Sequence, residues 1–285
     1  MTLSFGFQSL RFFSSALPWV FALGIVLASS LAASEPVNQP VNQPVNQAVN
    51  QPINQPITGS ADGATVRYTD WRTAPRHSAG LLPDPAMHRD EALVYVLAAR
   101  AFRWRGHFAV HPWVVFKRAG EESYTRYEVI GWGGGNRVRK NRSVPDGLWF
   151  GAPPEILVAH QGQKARDLIP RMEEAIKTYP YPESYRTYPG PNSNTFVAHI
   201  GRSVPALGLD LPPTAIGKDF RDLADPIGLP PSGQGLQLSV WGLFGMILSP
   251  VEGIELNLLG LNLGLDLSPL GLRLPLLGVV SAETL

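Results

Sequence analysis

The chain has 285 residues, a formal net charge of +1 and 44% hydrophobic residues, enough for a sizeable folded body. A nearly balanced charge argues against a protein that binds nucleic acid by bulk electrostatics. Cysteine is absent, which excludes disulfides, thiolate metal sites, a cysteine nucleophile and lipidation of an N-terminal cysteine. The 28 glycines and 27 prolines predict many turns and a body rich in strands and loops.

An uncharged apolar run fills residues 16–33, after a single basic residue, Arg11. A secretory signal peptide has this pattern, with Ser30 and Ala32 as small residues near a cleavage point. Extended back to Phe12, the run is also long enough for a membrane anchor of about 20 residues. Either interpretation of the first 34 residues predicts a body in the cell envelope, membrane-anchored or exported to the periplasmic side.

Five tandem tetrapeptides, VNQP or close variants, fill residues 37–56, and no charge occurs between Glu35 and Asp62. The prolines remove backbone donors, and a period of four matches neither a helix nor a solenoid. We expect residues 35–62 to be a disordered linker, roughly 60 Å long for the repeats when extended at about 3 Å per residue. This linker either spaces the body from a membrane or has no spacing role.

The body, residues 63–285, is predicted to be a single α+β domain with a core over 84–220. Residues 85–103 space their apolar side chains for a helix with Asp84 as N-cap. HFAVHPWVVFK (107–117) predicts a strand, and YTRYEVIGW (124–132) its hairpin partner. The glycine-rich loop that follows contains NRVRKNR, four cations without an acid. It either meets an anionic surface or is a solvated loop.

Two more helices are expected after this hairpin. EILVAH (155–160) predicts a short buried strand, and residues 164–179 a helix that Pro170 kinks or splits. An irregular, tyrosine-rich segment then leads to a short helix from about Ser193 to Arg202.

The C-terminal part shows a different pattern. Leucine occupies every odd position from Leu259 to Leu267, with small or polar residues between. This period of two recurs over residues 235–277 and predicts an antiparallel β-meander that packs its leucine side on the body. Amphipathic contact with a membrane is the alternative, but the segment has neither a helical period nor a basic polar face.

The polar run Asn192–Thr195 has two interpretations. It closes a loop and caps a helix, because Asn and Ser are strong N-cap residues, or one of its members does chemistry. A helix N-terminus presents free N–H groups and a partial positive charge, which suit an oxyanion. A papain-like enzyme places its cysteine at such a point and takes a histidine from an adjacent strand. Here the corresponding residues are Ser193 and His111.

No cofactor and no metal site are predicted. His107 and His111 would be about 13 Å apart along a strand, too far to share one ion. The loop GWGGGN (131–136) fits neither dinucleotide- nor phosphate-binding glycine motifs. The adjacent acids Glu121–Glu122 and Glu173–Glu174 predict exposed surface rather than a pair of glycosidase carboxylates.

Several motifs carry a resemblance to a known family: HFAVHPWVVFK, WFG (149–151), YPYPESY (179–185), GPNSNTF (190–196), AIGKD (215–219) and the leucine-rich tail. Over roughly residues 85–280 they resemble the bacterial family Domain of Unknown Function 3750. This resemblance implies a membrane- or envelope-associated protein without an established activity.

A weaker similarity connects the chain with circularly permuted papain-like hydrolases of the NlpC type. It implies a papain-like mixed core, made of the N-terminal helix, the hairpin and the later helices, followed by the meander. His111 would be the base, Ser193 would stand where the family has its cysteine, and Glu128 would orient the histidine.

Three functions follow from these patterns. The first is a non-catalytic papain-like groove that binds a peptide, glycan or lipid. The second is an envelope hydrolase or acyl transferase that acts on an amide or ester through Ser193 and His111. The third is a structural scaffold. The expected partner is a membrane or cell-wall component and not nucleic acid, and the candidate binding residues are Asn192, Asn194, Thr195, Tyr185, Tyr188 and Arg202.

Overall fold

The computed structural model describes residue 68 and residues 70–281. The segments interpreted as a signal or anchor and as a linker lie outside the described residues. Two antiparallel sheets and two α-helices build the described part, which confirms the α+β class. No helix in this part of the chain is long and apolar enough to cross a membrane.

The first sheet has five strands: β1 Leu93–Arg100, β2 Val110–Lys117, β3 Thr125–Val129, β4 Val138–Lys140 and β5 Pro154–Gln161. They lie side by side in the order β4-β3-β2-β1-β5. β2 and β3 form the hairpin predicted from the sequence, and β5 contains the predicted short strand. The sheet is the frame on which both helices pack.

The helix predicted over residues 85–103 is wrong. Residues 93–100 instead form the strand β1, which pairs with β2 on one side and β5 on the other. Before β1 the chain only turns, and the Asp84 carboxylate accepts a hydrogen bond from the N–H of Ala86. A strand buried on both faces reads as a continuous apolar run, so its apolar positions also fit a helical spacing.

Both helices cover the same face of the first sheet. α1 spans Gly162–Lys177 and α2 spans Ser193–Ser203; Pro170 lies within α1 and does not split it. Alternate residues of β2 point toward this helical layer, and residues between them belong to a second core on the opposite face. The first core includes Val110, Val114 and Phe116 with Phe196 and Val197, and the second includes Trp113 and Val115 with Leu97 and Tyr124.

The second sheet contains seven strands in sequential order and confirms the predicted antiparallel meander. Its strands are β6 Ile227–Gly228, β7 Leu236–Val240, β8 Phe244–Ser249, β9 Gly253–Leu258, β10 Leu261–Leu267, β11 Leu270–Leu274 and β12 Gly278–Ser281.

The orientation predicted for the meander is wrong, because its leucines point away from the body. Leu256 and Leu263 are 46% and 47% exposed, whereas the neighbouring Glu255 and Asn262 are buried. An alternation of period two identifies an apolar side of a sheet but not the direction in which that side faces.

The polar side of the meander packs on the body because its charges find partners there. Glu255 pairs with Lys218, and Arg273 pairs with Asp210 at 2.6 Å, so acids and bases from both layers neutralise each other. A buried charge is tolerated when it is paired and hydrogen-bonded. Burial acts to lower the pKa of Lys218, but the charges of Glu255 and Asp219 together outweigh it and raise that pKa, so Lys218 stays charged.

Candidate functional site

The polar run at the start of α2 forms a capping box. The side-chain oxygen of Asn192 accepts hydrogen bonds from the N–H groups of Asn194 and Thr195, at 2.9 and 3.2 Å. In return the Thr195 hydroxyl accepts from the N–H of Asn192 at 3.1 Å. Two helix donors that would otherwise be unpaired are thereby satisfied.

The same run also ties α2 to two other segments. The Asn194 amide donates to the carbonyls of Val110, at the start of β2, and of Ile216. The Thr195 hydroxyl donates to the carbonyl of Gly217 at 2.7 Å. These buried hydrogen bonds give Asn194 and Thr195 a structural role. By contrast, the hydroxyl of Ser193 makes no hydrogen bond to any described residue.

His111 and Glu128 are brought together on the opposite face of the first sheet. The Nε2 atom of His111 lies 3.1 Å from a carboxylate oxygen of Glu128. Arg126 donates to the same oxygen at 2.7 Å, and Ser143 donates to the other oxygen at 2.7 Å. The imidazole ring stacks on Trp149, with 3.6 Å between ring centroids.

The charge states of this pair follow from its surroundings. Burial acts to raise the pKa of Glu128, but the interactions with His111, Arg126 and Ser143 together outweigh it and lower that pKa to about 2. Burial, with a smaller contribution from the charge of Arg126, lowers the pKa of His111 in spite of the opposing effect of Glu128. Because the carboxylate is ionised and the ring neutral at pH 7, Nε2 carries the proton and Nδ1 carries a lone pair.

The structure does not bring His111 and Ser193 together as a catalytic pair. The His111 ring lies beside Trp113 and Trp149, on the face of β2 opposite to the one that α2 covers. No hydrogen bond joins Ser193 to His111 among the described residues. A serine hydroxyl becomes a useful nucleophile only with a base in hydrogen-bond reach. The described geometry therefore gives no support to a papain-like pair.

The remaining candidate binding residues connect elements of the fold. The Tyr185 ring packs so closely on Gly131 that a Cβ there would lie 2.6 Å from it. The Tyr188 hydroxyl donates to the carbonyl of Leu259 in the meander. Arg202 donates to the carbonyl of Lys218 and to the side chain of Gln237. Their assignment to ligand binding stays a prediction.

A large apolar surface, whose exposure the sequence did not predict, covers the outside of the meander. Every outward position on β7–β11 is apolar, and the polar residues of these strands point inward. With exposed fractions of 38–69%, the side chains present on the order of 1,000 Å² of apolar area, above the roughly 300–600 Å² of the largest patch on a typical monomer. We call them the leucine face: Leu236, Leu238, Val240, Phe244, Met246, Leu248, Ile254, Leu256, Leu258, Leu261, Leu263, Leu265, Leu267, Leu270 and Leu272.

A signal for this orientation was present in the sequence. The inward positions of the meander include Glu255, Asp266 and Arg273, and the AIGKD motif supplies Lys218 and Asp219. The charged side of a strand is buried only where the facing segment supplies opposite charges. The complementary charges in the two segments are compatible with burial of the polar side, but only the fold shows that they meet.

These observations define an α+β protein with two helices on one face of its first sheet and a second sheet that is apolar on the outside. Residues 91–220 match the family model described as Protein of unknown function (DUF3750), and this match supports that family. It covers the first sheet, both helices and the segment to Phe220, and the meander follows it. No curated protein and no solved structure matches the chain.

Proposed function

We propose that this chain is a non-catalytic envelope protein whose leucine face seats the body on a lipid bilayer. The observation that carries the proposal is the leucine face itself, fifteen exposed apolar side chains without a polar residue among the outward positions. At about 25 cal/mol per Å², removing this area from water is favourable by on the order of 25 kcal/mol before the costs of association.

Lipid suits the leucine face better than a protein partner does. Eleven of its fifteen side chains are leucine, which is under-represented among the residues that dominate protein interfaces. A protein interface also combines aromatic and arginine anchors with a polar rim. The strands of the meander pair their backbone groups with one another, so the leucine face presents only apolar side chains to its surroundings. The apolar N-terminal run and the linker would keep the body close to a membrane.

A non-catalytic role is supported by the polar run of α2. Asn192, Asn194 and Thr195 are occupied by capping and by contacts to other segments. The hydrolase alternative needs a base beside Ser193, and His111 is held by Glu128 on the other face of the sheet. We therefore do not assign ligand binding to a groove lined by these residues.

The proposal can be tested with a single fluorescent label, because the chain contains no cysteine. Leu263→Cys places an environment-sensitive dye on the leucine face, and Glu174→Cys places it on the exposed side of α1. In liposomes that contain the full chain, we expect a blue shift and quenching by brominated acyl chains only at residue 263. This readout reports the body and does not depend on how the N-terminal segment associates with the membrane.

Lysine substitutions on the leucine face should release the body from the membrane. We expect Leu256→Lys with Leu265→Lys to lower the lipid-contacting fraction of the residue 263 label by about 30-fold or more, because each change removes roughly 1 kcal/mol of apolar contact and adds a desolvated charge. Leu81→Lys is the matched control, since Leu81 is also exposed but lies outside the meander. A blue shift at residue 263 that appears without lipid would indicate pairing of two copies and would refute the proposal.

A further inference from the structure

A second surface of the body is basic and aromatic. Its first segment is Arg103–His107, which includes Arg-Trp-Arg, and its second is the loop over residues 131–142. Trp104 and Trp132 in these segments are 65% and 53% exposed. Residues 101–117 and 129–145 contain no acid, so cations are concentrated here in a chain with a net charge of only +1.

The two segments meet in space through aromatic contacts. Phe102 and Trp132 both contact Phe150, with ring centroids 5.3 and 6.0 Å apart. Burial raises the pKa of Tyr185, and the nearby charge of Arg105 opposes this rise; the same tyrosine packs on Gly131. We call the joint surface the basic-aromatic patch and define it by Arg103, Trp104, Arg105, Trp132, Arg137, Arg139, Lys140 and Arg142.

The cations of the patch are not neutralised by acids. Arg137 donates to the carbonyl of Gly131, and Arg139 donates to the carbonyls of Trp132 and Gly134, so both hold the loop through neutral groups. Within the described residues, neither they nor the exposed Arg105 and Arg142 form an ion pair. The patch therefore presents a positive field to whatever approaches it.

The patch lies near one end of the leucine face. Tyr185 packs on Gly131 of the patch, and the next residue, Arg186, places its guanidinium 5.4 Å from the ring centre of Trp241, in the turn between β7 and β8. Two consecutive residues, Tyr185 and Arg186, thus join the loop of the patch to the turn at this end of the leucine face.

We infer that the basic-aromatic patch binds the phosphate headgroups of anionic lipids in the membrane on which the leucine face is seated. This inference rests on the proposed function and deepens it by naming the lipid class. Arginine is suited to phosphate because its planar fork can donate two hydrogen bonds, and tryptophan favours the membrane–water interface. Each cation close to an anionic surface adds about fivefold to membrane binding.

The test compares the residue 263 label of the full chain on two kinds of vesicle, phosphatidylcholine alone and phosphatidylcholine with phosphatidylglycerol. We expect stronger docking on the anionic vesicles at low salt. Arg105→Gln with Arg142→Gln should reduce docking there by about 25-fold and leave docking on neutral vesicles unchanged. Lys164→Gln with Arg171→Gln is the matched control, because it removes the same charge from exposed positions of α1.

Several results would overturn the inference. One is equal docking of the wild-type protein on both kinds of vesicle. Another is an α1 control that loses as much docking as the patch variant. If free glycerol phosphate at millimolar concentration abolished the anionic preference, the patch would be a site for soluble phosphate instead. Absence of docking on every vesicle would contradict the proposed function, whereas equal docking on both would contradict only the lipid class.

Discussion

Asn192→Ala tests whether the polar run of α2 is structural. The substitution removes an N-cap, which is worth about 1 kcal/mol. It also removes two hydrogen bonds from the side-chain amide to the carbonyls of Thr187 and Ile216, each worth about 0.5–1.5 kcal/mol. We expect the free energy of unfolding to fall by about 3 kcal/mol in total. Asn192→Ser, which keeps a capping oxygen, should recover about 1 kcal/mol of this loss.

Ser193→Ala is the matched control for this prediction. Its hydroxyl makes no hydrogen bond to any described residue, so removal should change the free energy of unfolding by less than about 0.5 kcal/mol. Urea unfolding, followed by intrinsic tryptophan fluorescence, measures both variants against the wild type. Equal losses for Asn192→Ala and Ser193→Ala would refute the capping account. A Ser193→Ala variant that folds normally but loses a hydrolase activity of the wild type would refute the non-catalytic role.

Three further changes test the electrostatics of the body. Glu128→Gln should lower the free energy of unfolding by about 3 kcal/mol at pH 7, because Arg126 loses its buried partner. Since the folded pKa of Glu128 is about 2, below its ordinary value, this stabilisation is present above pH 4.5 and disappears as the pH falls towards 2. Urea unfolding at several pH values should show the unfolding free energies of the variant and the wild type converging in acid. Burial raises the pKa of Glu155 to about 7, so ionising its carboxyl group costs stability as the pH rises from 4.5 to 7. The stability of Glu155→Gln relative to the wild type should therefore increase across that range. A difference in unfolding free energy that stays constant with pH would contradict the shift. Arg273→Met leaves Asp210 and the buried Asp266 without their cation beneath the meander and should cost about 3–5 kcal/mol in thermal unfolding. A more stable variant would contradict our explanation of the meander's orientation.

Local patterns in the sequence predicted much of the fold. The hairpin of β2 and β3 was predicted because aromatic and β-branched runs flank a short polar turn. The start of α2 at Ser193 was predicted because Asn192 is a strong N-cap. The strand β1 was missed because it is central in its sheet and apolar on both faces, a property that depends on neighbours distant in the chain.

The candidate site was predicted less well. Glu128 was predicted to be the residue that orients His111, and the hairpin places their side chains 3.1 Å apart. Side chains alternate along a strand, so a single position decides which face a residue joins. The placement of α2 on the Val110 face, away from His111, depends on packing between elements that are far apart in sequence.

The sequence by itself determined the local elements of this protein: the capped helix, the hairpin, and a C-terminal sheet with one leucine side and one polar side. Only the tertiary structure decided that the polar side packs inward, because Glu255 and Arg273 meet Lys218 and Asp210 from another part of the chain. Periodicity is a property of one strand, whereas burial depends on what the rest of the chain brings to each side of it. For that reason the leucine face, on which the proposed function depends, became visible only in the folded body.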